Sequence, residues 1–357
     1  MKFVPFLIFI FLGAAIQVTA QENFNPDKQL LELSGEKANI GITAGYSIAG
    51  DLIWSNSAGV ACLENQVPFS TRTKTRIASI SKNFTAVAIM QLVEQNLIEL
   101  DASIDKYLSG LPADKNSITI RQLMAHTAGI SQYEGQKEIE NTIHFVSLEE
   151  AMEVFINRPL LYQPGTKYFY TTYGYVVLGR IIEVASKLSY GEYIQKNIFI
   201  PAGMSNSGIE MANNLDADQS CLYHHQGKKT KEGKQNDLSN RTPGGGFYST
   251  LEDMMKFGNA LLDEKFIKTE SLELMLKYQA VEYDGNKYGL GWTLYAPPPN
   301  ESLVFGHSGG QTGCTSQLMI VGPSKTVVVV LSNTSGTYPD IATLASNLVG
   351  YSEASQN

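Results

Sequence analysis

The chain has 357 residues, of which 43% are hydrophobic and 17% charged, and its formal net charge is −8. That length and balance fit one large globular domain and exclude a disordered chain. The acidic balance, with no block of lysines or arginines, argues against nucleic acid or an anionic membrane surface as the main partner; small molecules and peptides stay open. Residues 1–20 place one lysine before an apolar run that closes on Val18-Thr19-Ala20. This predicts a cleaved secretory leader and a mature chain that starts near Gln21 and works in the periplasm or outside the cell. The run is too short to favour a permanent membrane span. Cys62, Cys221 and Cys314 lack metal spacing, and three cysteines allow one bridge at most.

Residues 21–33 read as helical or irregular. Residues 38–63 alternate β-branched and small residues with Gly and Asp between them, which predicts two or three short antiparallel strands. Residues 79–97 carry the strongest helical pattern, apolar on more than one face, so that helix belongs in the centre of the protein. A short helix is expected from residue 119, capped by Thr119 and ended by Gly129. Further helices are expected over 148–157, 173–186 and 190–199. Residues 213–242 are polar, with several lysines near Lys228, and read as a surface excursion. Pro243-Gly244-Gly245-Gly246 is a loop, and 250–262 a helix opening on Thr250. From Lys287 the pattern turns to strands, with Pro323-Ser324 in the last hairpin, and a terminal helix covers 341–348.

Strands thus lie near both ends and helices fill the middle. The order predicts an α+β fold: an antiparallel sheet built from both chain ends and flanked by helices, with a mostly helical insertion over about 81–245. One domain spans 21–350, followed by a tail over 351–357.

The stretch RIASISKNFT sets Ser79 three residues before Lys82 at the start of the apolar helix. Residues three apart share a helix face. A serine hydroxyl needs a base before it becomes a nucleophile, and a desolvated lysine can be that base. A helix start adds a free backbone N–H for a developing oxyanion. Spacing alone describes a capping serine beside a solvated lysine, and Ser34…Lys37 and Ser103…Lys106 repeat it in polar settings. Lys167–Tyr175, KYFYTTYGY, offers Tyr170 as a phenolate base if a lysine and low local water lower its pKa; alone it is a packing tyrosine. FGHSGG puts His307 and Ser308 on a strand with Gly309 and Gly310, where backbone could approach a substrate closely.

Taken in order, Ser79-Ile80-Ser81-Lys82, Tyr170 and His307-Ser308-Gly309 resemble the serine β-lactamase-related family, which includes class C β-lactamases, D-alanyl-D-alanine carboxypeptidases and related esterases. The blocks ITIRQLMAHTAGI, QPGTKYFYTTYGYVVLGRIIE and GGGFYSTLEDMMKF extend the likeness over most of the mature chain. The resemblance implies a β-lactamase/transpeptidase-like fold. It implies Ser79 as the acylated nucleophile, Lys82 and Tyr170 as its proton carriers, and His307 where many relatives have lysine. Ser79 and Gly310 would supply the oxyanion N–H groups, while Thr172, Ser308, Gly309 and Gly310 would line the substrate. Relatives usually carry Tyr-x-Asn, whereas here the third residue is Thr172, with one hydroxyl and no amide. That departure weakens the case for efficient β-lactam or peptide cleavage and leaves other acyl substrates open.

The expected activity is a secreted serine hydrolase working through an acyl-enzyme on a small ester, amide or D-amino-acid peptide, with no cofactor and no metal. The competing class is a catalytically silent cell-wall-peptide or penicillin-binding protein on the same fold. A metal-dependent hydrolase has no support, because His126, His144, His224, His225 and His307 are scattered and no H-E-x-x-H occurs. His126 reads as a structural helix-end residue. An α/β-hydrolase would need its G-x-S-x-G at a strand-to-helix elbow, and the one such string, Gly306-His307-Ser308-Gly309-Gly310, lies between two strand-like segments.

Overall fold

The computed structural model describes residues 24–35, 39–212, 218–227, 229–279, 287–296 and 303–356. The leader expected over 1–20 and Lys228 of the polar excursion lie outside them. Strands follow the chain as β1 (Gly41–Ile48), β2 (Asp51–Cys62), β3 (Val67–Pro68), β4 (Thr75–Arg76), β5 (Gly208–Ile209), β6 (Tyr223–Gln226) and β7 (Lys229–Glu232). They continue as β8 (Phe247–Ser249), β9 (Lys287–Tyr288), β10 (Thr293–Ala296), β11 (Val304–Gln311), β12 (Cys314–Val321), β13 (Thr326–Ser332) and β14 (Thr334–Ser335). Eight of them form the main sheet in the order β3-β2-β1-β13-β12-β11-β10-β9. The junction of the two chain ends is the antiparallel β1–β13 pair, from Ile42 opposite Ser332 to Ile48 opposite Thr326. The fold is the expected α+β arrangement.

The run TVVVVLS on β13 is apolar without alternation because both faces of the sheet are covered. Val328 and Val330 belong to a core with Leu30, Ile341, Leu344 and Leu348, from helices Pro26–Glu32 and Tyr338–Ala354. Val327, Val329 and Leu331 face the other core, which holds the helices of the middle of the chain. Helix Leu251–Leu262 sits directly on β13: a Cβ on Gly258 would come within 2.6 Å of Val327 Cγ1. Helix Ser81–Glu94 is buried all round from Ser81 to Leu92, as its pattern predicts, and Phe84 stacks on Phe257 at 4.0 Å between ring centroids.

Several boundaries differ from the sequence reading. The central helix does not start at Ser79: Ala78–Ile80 is a 3₁₀ turn and the α-helix begins at Ser81. The helix expected over 148–157 ends at Glu153. The terminal helix runs on to Ala354. Residues 38–63 form two strands, the second 12 residues long. The polar stretch before Pro243 is not all surface, since Asn236, Asp237, Asn240 and Arg241 are buried. They are satisfied by hydrogen bonds to residues 138–144 and to Arg76, which is what lets polar sequence go inside. One bridge joins Cys62 to Cys221, and Cys314 is free and buried.

Candidate active site

β4 pairs with β8 through Thr75–Ser249 and Arg76–Tyr248 and delivers the chain to the 3₁₀ turn. Arg76 is buried and holds Glu210 through Nε and Nη2, while its Nη1 donates to Asn236 Oδ1 at 2.7 Å and to the Thr312 carbonyl at 2.9 Å. That network ties the approach to Ser79 to the β11–β12 turn. Ala78 then takes φ +47°, the left-handed region that costs a non-glycine residue about 1–2 kcal/mol. Ser81 Oγ donates to the Ala78 carbonyl at 2.7 Å and fixes the turn. Ser79 is left at the head of the buried helix, partly exposed.

Lys82 is fully buried beneath it. Its Nζ lies 3.2 Å from Ser79 Oγ, 3.3 Å from Thr172 Oγ1 and 2.6 Å from the Gly244 carbonyl. Burial holds the amine well below the usual lysine range, and the nearby Arg241 charge pushes the same way. A neutral amine has two N–H donors and one lone pair. Gly244 O and Thr172 Oγ1 take the donors, which leaves the lone pair for the Ser79 hydroxyl proton.

Tyr170 closes the group. Its hydroxyl engages Ser79, and Lys82 Nζ lies 4.9 Å from its ring centroid. The lowered pKa entertained for Tyr170 is not what its surroundings produce: burial raises it far above the ordinary phenol range, and neighbouring tyrosines add to the rise. The Ser79 hydrogen bond works against this without reversing it. Tyr170 is therefore a protonated phenol, and of the two groups it is Lys82 that burial drives toward the free base.

His307 stands one layer back. Its Nδ1 donates to the Ser308 carbonyl at 2.6 Å, so its Nε2 accepts from Tyr288 Oη at 3.0 Å. Burial pushes its pKa down to about 3, and the ring is neutral. Its centroid is 6.1 Å from that of Tyr170. The Ser308 hydroxyl engages Tyr295 and Tyr338. Gly309 presses bare backbone on the turn before Ser79, whereas a Cβ on Gly310 would meet nothing within 4 Å. Ser79, Lys82, Tyr170 and Thr172 thus meet directly. His307 and Ser308 brace the wall beside them.

The sequence reading missed several partners. Gln132 clasps Thr172: its Oε1 accepts the Thr172 N–H at 3.1 Å and its Nε2 donates to Thr172 Oγ1 at 3.3 Å. Gly244 supplies the carbonyl for Lys82, and a Cβ there would fall 2.5 Å from Thr172 Cγ2. The triple glycine was the available signal, since such a run marks a close backbone approach. His126 is the expected structural residue. It is buried at φ +59°, accepts the Thr171 N–H at Nδ1 (3.3 Å), and its ring centroid lies 4.3 Å from that of Tyr170. No three His, Cys, Asp or Glu among the described residues converge to hold a metal ion. None of the helices among the described residues is long and apolar enough to cross a membrane.

A profile of the beta-lactamase family matches residues 27–349. Penicillin-binding protein 4* of Bacillus subtilis is 28% identical over 330 residues, covering 85% of this chain and 70% of its own. The crystal structure of a penicillin-binding protein from Bacillus halodurans superposes with a TM-score of 0.79 at 26% identity, covering 91% of this chain and 99% of the other. The D-amino acid amidase of Ochrobactrum anthropi SV3 shares the fold, with a TM-score of 0.82 at 20% identity over 93% of this chain and 99% of the other. With the profile spanning most of its length and the serine and lysine of the helix start in contact, the chain belongs to the beta-lactamase family.

Proposed function

We infer that the protein is a secreted or periplasmic serine hydrolase that cleaves a small ester, amide or D-amino-acid peptide through an acyl-enzyme on Ser79. The observation that carries this reading is Lys82: a buried amine, its pKa pushed down by burial, 3.2 Å from the Ser79 hydroxyl, with Gly244 O and Thr172 Oγ1 to accept its hydrogens. Lys82 takes the Ser79 proton as Oγ attacks the substrate carbonyl. The N–H groups of Ser79 and Gly310 receive the oxyanion. The proton returns to the leaving group through Lys82 and the Tyr170 hydroxyl. Water then attacks the acyl-enzyme by the same route in reverse and releases the acid. The bridge between Cys62 and Cys221 supports an oxidising location.

Thr172 is committed to Lys82 and Gln132, so substrate amide recognition of the Tyr-x-Asn kind is weak here, which favours esters and unhindered amides over β-lactams. The test is mass spectrometry of the protein after exposure to a fluorophosphonate and to a labelled penicillin, beside a screen of p-nitrophenyl esters, nitrocefin and D-Ala-D-Ala peptides. An adduct on Ser79, absent in Ser79→Ala, is expected, with ester turnover the fastest. No adduct and no turnover would leave a silent binding protein on the same fold.

A further inference from the structure

Gln132, which clasps Thr172, sits in residues 129–134, and these form no helix or strand. Nothing regular holds it in place. The anchor lies six residues on, at Glu138 in the short helix Gln136–Ile139. Glu138 Oε1 accepts from Arg158 Nη2 at 2.5 Å, and Oε2 accepts from the Tyr173 hydroxyl at 2.7 Å and from the Glu134 N–H at 3.0 Å. Tyr173 is the residue after Thr172; it is fully buried, and its ring stacks on Phe155 at 4.3 Å between centroids. Arg158 Nη1 in turn donates to the Gln132 carbonyl at 3.4 Å. The contacts therefore close a ring: from Thr172 along the chain to Tyr173, across to Glu138, to Arg158, to Gln132 and back to Thr172.

Burial works against the Glu138 carboxylate, yet the Arg158 and Tyr173 hydrogen bonds overcome it and hold its pKa below the usual range. The group is ionised, and its charge-assisted bonds are of the stronger kind. The Glu138 carbonyl is used as well, accepting from Asn240 Nδ2 at 3.1 Å and from Arg241 Nη2. One residue thus fastens this irregular segment on both sides. The consequence reaches the reacting groups, because Gln132 Nε2 and Lys82 Nζ donate to the same atom, Thr172 Oγ1, each at 3.3 Å. A shift of Gln132 moves an acceptor on which Lys82 depends.

We propose that Glu138 is a positioning residue for the reaction: acting through Tyr173 and Arg158, it holds Gln132 against Thr172 and keeps Thr172 Oγ1 in place as an acceptor for Lys82. This rests on the serine hydrolase reading above. The test uses Tyr173→Phe and Glu138→Gln in the full chain. Tyr173→Phe removes one hydroxyl and keeps both the stacked ring and the Glu138 charge. Each variant should lower kcat for a p-nitrophenyl ester about three- to tenfold, the fold-change set by one hydrogen bond of ordinary worth, with KM nearly unchanged. A protonated Lys82 has three hydrogens to place and the free amine two, so displacing Thr172 costs the ammonium more. The acid limb of kcat should therefore move to lower pH in both variants. The groups that face Lys82, namely Tyr170, Tyr175, Arg241, His126 and His307, are unaltered in either. A limb that moves in Glu138→Gln alone would report a lost charge and overturn the proposal. So would an unchanged kcat in both variants beside a lowered urea midpoint, which is what a merely structural ring gives. Hydrogen exchange at the Thr172 amide, which donates to Gln132 Oε1, reads the clasp without turnover: faster exchange in both variants supports the proposal, and an unchanged rate overturns it. If the wild type turns over no ester, the hydrolase reading fails, and the exchange rate alone decides whether Glu138 holds the clasp.

Discussion

A Cβ on Gly309 would lie 2.4 Å from the carbonyl oxygen of Ile77 and 2.3 Å from Ser316 Oγ. β11 and the turn that presents Ser79 are therefore in backbone contact, and no rotamer change can make room between them. Gly309→Ala should cost about 1–3 kcal/mol, the usual penalty of overpacking, and should lower ester turnover by shifting the turn. Gly310→Ala meets open space and should keep the wild-type urea midpoint. Equal midpoints for the two variants would show that the contact is not rigid.

The Lys82 environment sets a pH dependence of known sign. Burial, with Arg241 second, lowers its pKa, and the proposed mechanism uses the neutral amine. Activity on an uncharged ester should therefore fall as pH drops through the lowered Lys82 value. Tyr170 is shifted upward, so no loss should follow through the ordinary phenol range. Lys82→Arg, charged throughout, should lose about 10²- to 10⁴-fold in kcat, the usual worth of a general base. A profile that declines with rising pH near neutrality would assign Lys82 a cationic role instead.

The same shift appears in stability. Between its lowered folded value and the ordinary lysine value, Lys82 binds fewer protons folded than unfolded, so stability gains with rising pH across that window and is lost as pH falls through it. The unfolding free energy of the wild type minus that of Lys82→Met should rise with pH there. A flat difference would mean that the amine stays protonated in the folded protein.

Thr172 joins Lys82 to Gln132 through one oxygen. Thr172→Val keeps the shape and removes the acceptor from two donors, so it should cost about 1–3 kcal/mol and slow turnover. Thr172→Asn adds an amide, and lactam or amide hydrolysis should gain relative to ester hydrolysis. The ratio of nitrocefin to p-nitrophenyl ester turnover measures this, and an unchanged ratio would mean that Thr172 does not reach the substrate.

What could be read in the sequence was what local spacing encodes. Ser79 and Lys82 fall three apart at a helix start, the pattern from Lys287 announces strands, and strands at both ends predict their own pairing. The partners of Lys82 were not legible, because Thr172 and Gly244 come from chain segments 90 and 162 residues away. Arg241 was hidden because polar sequence is ordinarily surface, and here carbonyls of 138 and 139 hold it inside. The direction of the Tyr170 shift depends on how thoroughly the ring is enclosed, among His126, Tyr175, Tyr288 and Tyr295, and no single window of sequence contains that.

The Arg76–Glu210 pair carries the last prediction. Both side chains are removed from solvent, at 0% and 1% exposure, and Gln219, Gln235 and Asn236 complete the hydrogen bonds around them. Arg76 lies three residues before Ser79 and reaches the Thr312 carbonyl in the β11–β12 turn, so the pair fastens the two walls that flank Ser79. Removing one partner strands a buried charge, at about 3–5 kcal/mol, whereas replacing both with apolar residues of similar volume can be far milder. Glu210→Met should therefore destabilise more than Arg76→Met/Glu210→Met, giving a strongly non-additive double-mutant cycle in urea unfolding. Because the double variant keeps volume but loses the Thr312 tether, it should refold and still show reduced ester turnover. Additive stabilities would mean that the two groups act separately, and full activity in the double variant would mean that the walls are held by packing alone.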